Sequence, residues 1–149
     1  MENGFPMKYH KFLIYFSLWL GAAINLLGGI AIVTGMILGE DMQAVYAAFP
    51  GYQALNVVYG CILLLLAAVC VAVRTALARY RRRGPKMLIA LLTVNLILAP
   101  LYGVLAGAVT RIPLGQLMDA SDAAQFAGTL AIVIATFVYY KKRESLFVE

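Results

Sequence analysis

Charged residues are scarce in this sequence, and long stretches contain none at all. Asp, Glu, Lys and Arg make up 13% of the 149 residues, whereas 63% are hydrophobic. Soluble domains are nearer one quarter charged and one half apolar. The composition therefore excludes a soluble globular domain, a disordered chain and a coiled coil, and it indicates an integral membrane protein.

Residue types that often carry chemistry are also few, with two cysteines and one histidine. Cys61 and Cys70 fall on one predicted helix, about 13 Å apart along its axis, which is too far for a disulfide within the chain. The sequence contains no nucleophile, phosphate-binding or zinc-protease motif. His10 is expected to be a bystander at the membrane surface. We therefore predict that the protein is not an enzyme, with no catalytic residue, no metal site and no cofactor.

Four apolar stretches are long enough to cross a membrane, since a span needs about 20 apolar residues. We predict an all-α, four-helix membrane bundle, a single domain over residues 1–149, with spans at 12–38, 52–78, 87–110 and 123–140. Pro50-Gly51 separates the second span from the segment before it. The apolar spacing of Asp41–Phe49 predicts a short helix in the membrane interface, with an irregular loop as the alternative.

Basic residues are concentrated on one side of the predicted spans. Ten of the twelve lie before the first span, between the second and third, or after the fourth, and an eleventh, Arg74, lies near the same end of the second span. The positive-inside rule then places both termini in the cytoplasm of a multi-pass protein of the plasma or inner membrane. We expect these residues to set topology and contact lipid headgroups, and not to bind nucleic acid. The residues concerned are chiefly Arg79, Arg81, Arg82, Arg83, Lys86, Lys141, Lys142 and Arg143.

No Asp, Glu, Lys or His lies within the apolar stretches, although proton-coupled transport needs ionisable groups at depth. This absence counts strongly against proton-driven export by this chain alone. Asparagines do lie at depth, close to small residues spaced three or four apart, a pattern typical of helix packing. The alternative is a polar lining for a ligand or an ion path. The residues in question are Asn25, Asn56, Asn95, Gly21, Gly28, Gly35, Gly103 and Gly107.

Two further features are a proline within the third span and a pair of acidic residues before the fourth. Pro100 lacks a backbone N–H and is expected to kink the third span. Asp119 and Asp122 flank Ser121 just before the fourth span, where acidic and hydroxyl side chains commonly cap a helix. We predict caps here, in preference to a metal site or a catalytic pair.

Three segments resemble small four-span membrane proteins of anaerobic Gram-positive bacteria. These are the opening Lys8–Phe16, the Arg-rich turn that closes on Gly84-Pro85-Lys86, and the terminal Tyr139-Tyr140-Lys141-Lys142-Arg143-Glu144-Ser145-Leu146-Phe147. Proteins of that group end in a similar Tyr-x-Lys-Lys-Arg-x-x-Leu-Phe segment. The resemblance implies the same four-span layout, and it carries no assigned activity.

The sequence favours a non-enzymatic accessory or scaffold bundle. Membrane lipids and either a second copy or another membrane protein are its expected partners. The alternative is a subunit of an oligomeric channel or transporter for a small solute, with the asparagines as lining. A lipid-modifying enzyme is disfavoured because no nucleophile and base pair is evident.

Overall fold

The computed structural model describes residues 7–113, 115 and 120–147. All regular structure in these residues is helical. Among them, four helical segments are long and apolar enough to cross a membrane: Lys8–Ala48, Pro50–Ala78, Gly84–Thr110 and Ala120–Lys141. The prediction of an all-α chain with four spans is therefore confirmed, and this is the architecture of a multi-pass membrane protein.

The first span differs in its bounds from the predicted 12–38. It consists of α1 (Lys8–Phe12), a π-helical turn (Leu13–Ser17) and α2 (Leu18–Val33). Gly35 then takes a left-handed backbone conformation with φ of 74°, which ends the α-helix in the usual manner of a glycine cap. The chain continues as a 3₁₀ helix over Met36–Asp41. Residues 36–38 of the predicted span therefore lie in the 3₁₀ segment after the glycine cap.

The remaining elements lie close to their predicted positions. A short helix, α3 (Met42–Ala48), occupies the segment predicted to be helical. Next come α4 (Pro50–Ala78), which begins at Pro50, and α5 (Gly84–Thr110). Then follow α6 (Ala120–Lys141) and a 3₁₀ turn at Glu144–Leu146. Helix α5 runs unbroken through Pro100, and Asp119 lies outside the described residues.

The tightest packing joins α2 to α4 at a pair of glycines. A Cβ added to Gly29 would lie 2.9 Å from the carbonyl oxygen of Gly60, and one added to Gly60 would lie 2.9 Å from that of Gly29. Only glycine permits such a close approach of two helix backbones. The crossing of α2 and α4 therefore depends on this pair.

The two chain ends meet at one end of the bundle. Tyr9 contacts Tyr139 and His10 contacts Phe147. We name this the basic end, because Lys8, Lys11, residues 79–86 and residues 141–143 belong to it. The other end, which holds α3, the start of α4 and the start of α6, is named the distal end.

Candidate functional site

A half-open, mainly apolar cavity of about 640 Å³ lies between α5 and α6 towards the distal end, and we name it the polar cavity after the amides, hydroxyls and carboxylate in its lining. Asn95, Ala99, Tyr102 and Ala106 line it from α5, because steps of three or four residues place side chains on one helix face. From Asn95 to Ala106 this lining extends about 16 Å along the helix axis. The cavity volume lies within the range of roughly 300–1,000 Å³ typical of small-molecule sites.

Helix α6 supplies the opposite wall, again at helical spacing. Asp122, Gln125, Phe126 and Thr129 line the cavity from this side, and Tyr52 reaches it from α4. The described lining thus offers a carboxylate, amides and hydroxyls, and it includes no Lys or Arg. Such a wall suits a ligand that is cationic or rich in hydrogen-bond donors.

Pro100 leaves one backbone carbonyl beside this cavity without its usual helical donor. Because proline has no backbone N–H, the carbonyl of Leu96, four residues earlier, loses its helical donor. Both Leu96 and Pro100 line the cavity. A freed carbonyl within a membrane span is tolerated where it faces protein groups or a cavity.

Asn56 belongs to a hydrogen-bond network beside this cavity. Its side chain is fully buried, its amide donates to the Tyr46 hydroxyl at 3.2 Å, and its carbonyl oxygen accepts from the Tyr102 hydroxyl at 2.7 Å. Tyr52 and Tyr102 hydroxyls lie 3.1 Å apart, and the rings of Tyr59 and Tyr102 stack with centroids 4.2 Å apart. The network joins α3, α4 and α5. Helix packing was one of the two roles that the sequence suggested for this asparagine.

The other two asparagines occupy separate places. Asn25 of α2 donates to the sulfur of Cys70 on α4, at 3.9 Å. Asn95 donates to the carbonyl of Leu91 in its own helix, at 2.9 Å, and it lines the polar cavity. The three asparagines thus make different contacts, and only Asn95 is a lining residue of the cavity.

The glycines of the predicted packing faces also make different contacts. A Cβ on Gly21 or Gly28 would meet α4 side chains at 3.7 and 3.8 Å, which is ordinary van der Waals contact. Gly35 ends the first span, whereas Gly107 is buried in α5 and Gly103 lines the polar cavity. The closest helix contact uses Gly29 and Gly60, which the sequence pattern did not single out.

His10 is the main feature that the sequence did not reveal. Its side chain is 1% exposed, so the expectation of a surface bystander was wrong. Its Nδ1 lies 2.9 Å from the Tyr140 hydroxyl, and the rings of Tyr80 and Phe147 lie within 5.7 Å, centroid to centroid. A second bond, 2.7 Å long, joins the Tyr9 hydroxyl to Thr136. These residues tie the N-terminal helix to the end of α6.

The basic residues differ in their contacts. Arg79, Arg81, Arg82 and Arg83 are all exposed. Arg143 stacks over the Tyr139 ring at 3.9 Å, and Arg74 donates to the Ile14 carbonyl at 3.4 Å within the π-helical turn. Arg82, Lys86 and Lys141 line a second cleft, of about 200 Å³, at the basic end.

In residues 7–113, 115 and 120–147, no group of three or more His, Cys, Asp or Glu side chains is placed to hold a metal ion. Cys61 is exposed and Cys70 is buried, and both are free thiols.

Comparison of the chain with protein families, with curated proteins and with solved structures found no match. The site is therefore interpreted from its own geometry.

Proposed function

We propose that the protein is a non-enzymatic accessory or scaffold bundle of the cell membrane that associates with other membrane chains through α6. The observation that carries the proposal is a face of small residues on α6 that nothing in the described chain covers. It consists of Ala120, Ala124, Ala127, Gly128, Ala131 and Ala135, all exposed.

The geometry of α6 places this face away from the rest of the bundle. At 100° per residue, the six positions fall within roughly 100° of the helix circumference. Thr136 and Tyr140, the buried residues of α6, lie on the other side. A Cβ added to Gly128 would meet no atom within 4 Å. Faces of small residues let membrane helices approach closely, which is how such helices associate in lipid.

The charge distribution supports an orientation with both termini in the cytoplasm. The ten basic residues of the basic end favour a cytoplasmic location for that end and for both termini. Helix α3 would then lie at the outer interface, where its Tyr46 suits the headgroup level. The basic end would contact anionic lipid headgroups of the inner leaflet.

Copurification of the tagged protein from mild detergent tests the proposal. The wild-type chain should purify with stoichiometric copies of itself or with one partner membrane protein, and Gly128→Leu or Ala131→Leu should dissociate the complex. Ala68→Leu, on an exposed position of α4, is the matched control and should leave the complex intact. A monomer that carries only lipid in both wild type and control would contradict the proposal.

A second candidate is a solute-binding or solute-conducting subunit, favoured by the polar cavity and its Asp122 carboxylate. Flux of K⁺, methylamine and tetraphenylphosphonium in proteoliposomes tests it. Transport of one of these, abolished by Gly103→Leu in the cavity wall, would support it. No flux for any of the three would exclude it.

A further inference from the structure

The second cleft, here named the basic cleft, lies at the basic end between the start of α5 and the end of α6. Its volume is about 200 Å³. Arg82 and Lys86 line one side, and Lys141 lines the other. Glu144 is the one carboxylate in the described lining, so the cleft carries a formal charge of +2. Cations from two separate segments thus converge on one small space.

The wall below these cations is apolar. Pro85, Ile89 and Phe137 line the cleft, and Ile89 and Phe137 lie one helical turn further from the basic end than Pro85 and Lys141. Lys141 lies over the Phe137 ring, with its Nζ 5.7 Å from the ring centroid. The cleft therefore offers positive charge at headgroup level and an apolar surface directly beneath it.

The back of the cleft is held by the residues that bury His10. Tyr140 and Phe147 line the cleft, and both also pack against the His10 ring, with centroids 5.9 and 5.7 Å away. Tyr140 is fixed further by its hydrogen bond to His10. Because both ring positions are set by buried contacts, the aromatic back of the cleft is preformed, whereas the three cations that line the cleft are exposed.

We propose that the basic cleft binds one anionic phospholipid, with its phosphate among Arg82, Lys86 and Lys141 and an acyl chain along Ile89 and Phe137. Charge complementarity and the apolar wall both point to this occupant. Basic pockets between membrane helices on the cytoplasmic side are typical sites for anionic lipid headgroups. A free phosphate would satisfy the cations and leave the apolar wall unused.

Titration of phosphatidylglycerol into detergent-purified protein, followed by native mass spectrometry, tests the proposal, with phosphatidylcholine as the reference lipid. The wild-type chain should retain one phosphatidylglycerol in preference to phosphatidylcholine. The variant Arg82→Gln/Lys86→Gln/Lys141→Gln should lose that preference, by roughly fivefold for each charge removed. The matched control Arg79→Gln/Arg81→Gln/Arg83→Gln removes the same charge from exposed positions outside the cleft and should keep the preference.

Two further arms keep the test decisive. If the triple variant does not fold, Lys141→Gln should weaken binding, whereas Lys142→Gln, which alters the exposed neighbouring lysine, should not. Inorganic phosphate at 10-fold excess over the lipid should not displace phosphatidylglycerol. Equal loss in the cleft variant and its control, no loss in either, or displacement by phosphate alone would overturn the proposal.

Discussion

The glycine pair at the crossing of α2 and α4 gives the sharpest prediction about packing. In Gly60→Ala, the new methyl group would lie 2.5 Å from Cγ2 of Val33, 2.9 Å from the Gly29 carbonyl oxygen and 3.1 Å from the Val33 backbone nitrogen. Two of these three atoms belong to the backbone and cannot turn away. The two helices must therefore separate by roughly half an ångström, and a gap of that size forfeits about a quarter of each contact.

The expected cost follows from two opposing terms. Overpacking of this kind typically costs about 1–3 kcal/mol. Alanine is favoured over glycine in a helix interior by about 1 kcal/mol, which offsets part of that cost. Gly28→Ala is the matched control, because its methyl group would meet only a Leu63 methyl group at 3.8 Å. Gly60→Ala should thus lower the free energy of unfolding relative to Gly28→Ala.

Titration with sodium dodecyl sulfate in mixed micelles, followed by circular dichroism, measures this free energy. The double variant Gly29→Ala/Gly60→Ala should cost less than the two single changes together, because one separation of the helices accommodates both methyl groups. If Gly60→Ala proves as stable as Gly28→Ala, the close crossing of α2 and α4 is wrong.

Three further predictions concern single contacts. His10→Ala should destabilise the basic end by about 2–5 kcal/mol, as is usual for large-to-small changes at buried sites. Tyr140→Phe removes only the bond to His10 and should cost about 1 kcal/mol. Thermal unfolding in detergent measures both changes. Asn56→Ala should lower the free energy of unfolding by about 0.6–1.7 kcal/mol because its hydrogen bonds cross between helices. Asn95→Ala should lower it less because its amide hydrogen bond stays within α5. The same unfolding assay checks this order. Arg74→Leu should raise hydrogen exchange at the π-helical turn by removing the donor to Ile14, and unchanged exchange there would contradict this reading.

The spans and their order could be predicted because hydrophobic length and charge distribution are properties of the sequence itself. Pro50 marked the start of α4, and the spacing of Met42, Val45 and Tyr46 indicated α3. The end of the α-helix at Gly35, within the predicted first span, could not be predicted. That cap depends on a left-handed backbone at one particular glycine among several in the same stretch.

The contacts between spans could not be predicted from the sequence, for a physical reason. Small residues at helical spacing show that a face can pack closely but not which helix will pack on it. Gly29 and Gly60 therefore could not be paired in advance. His10 and Tyr140 are separated by most of the chain, so the burial of His10 appears only once α1 and α6 are brought together.

The polar cavity illustrates the same limit. Asn95 was identified as a polar residue at depth, but its neighbours Gln125 and Thr129 come from another span. Asp122 was interpreted as a helix cap, and the structure adds that it lines the cavity. A wall shared by two helices cannot be read from the spacing within either one.

Site-specific cross-linking in intact membranes tests the central claim about α6 most directly. A photo-reactive residue at Ala131, on the small-residue face, should produce a discrete cross-linked band with a second copy or with one partner. The same residue at Ala90, exposed on α5, should produce no such band. Equal cross-linking at both positions, or none at Ala131, would contradict the assignment of α6 as the associating helix.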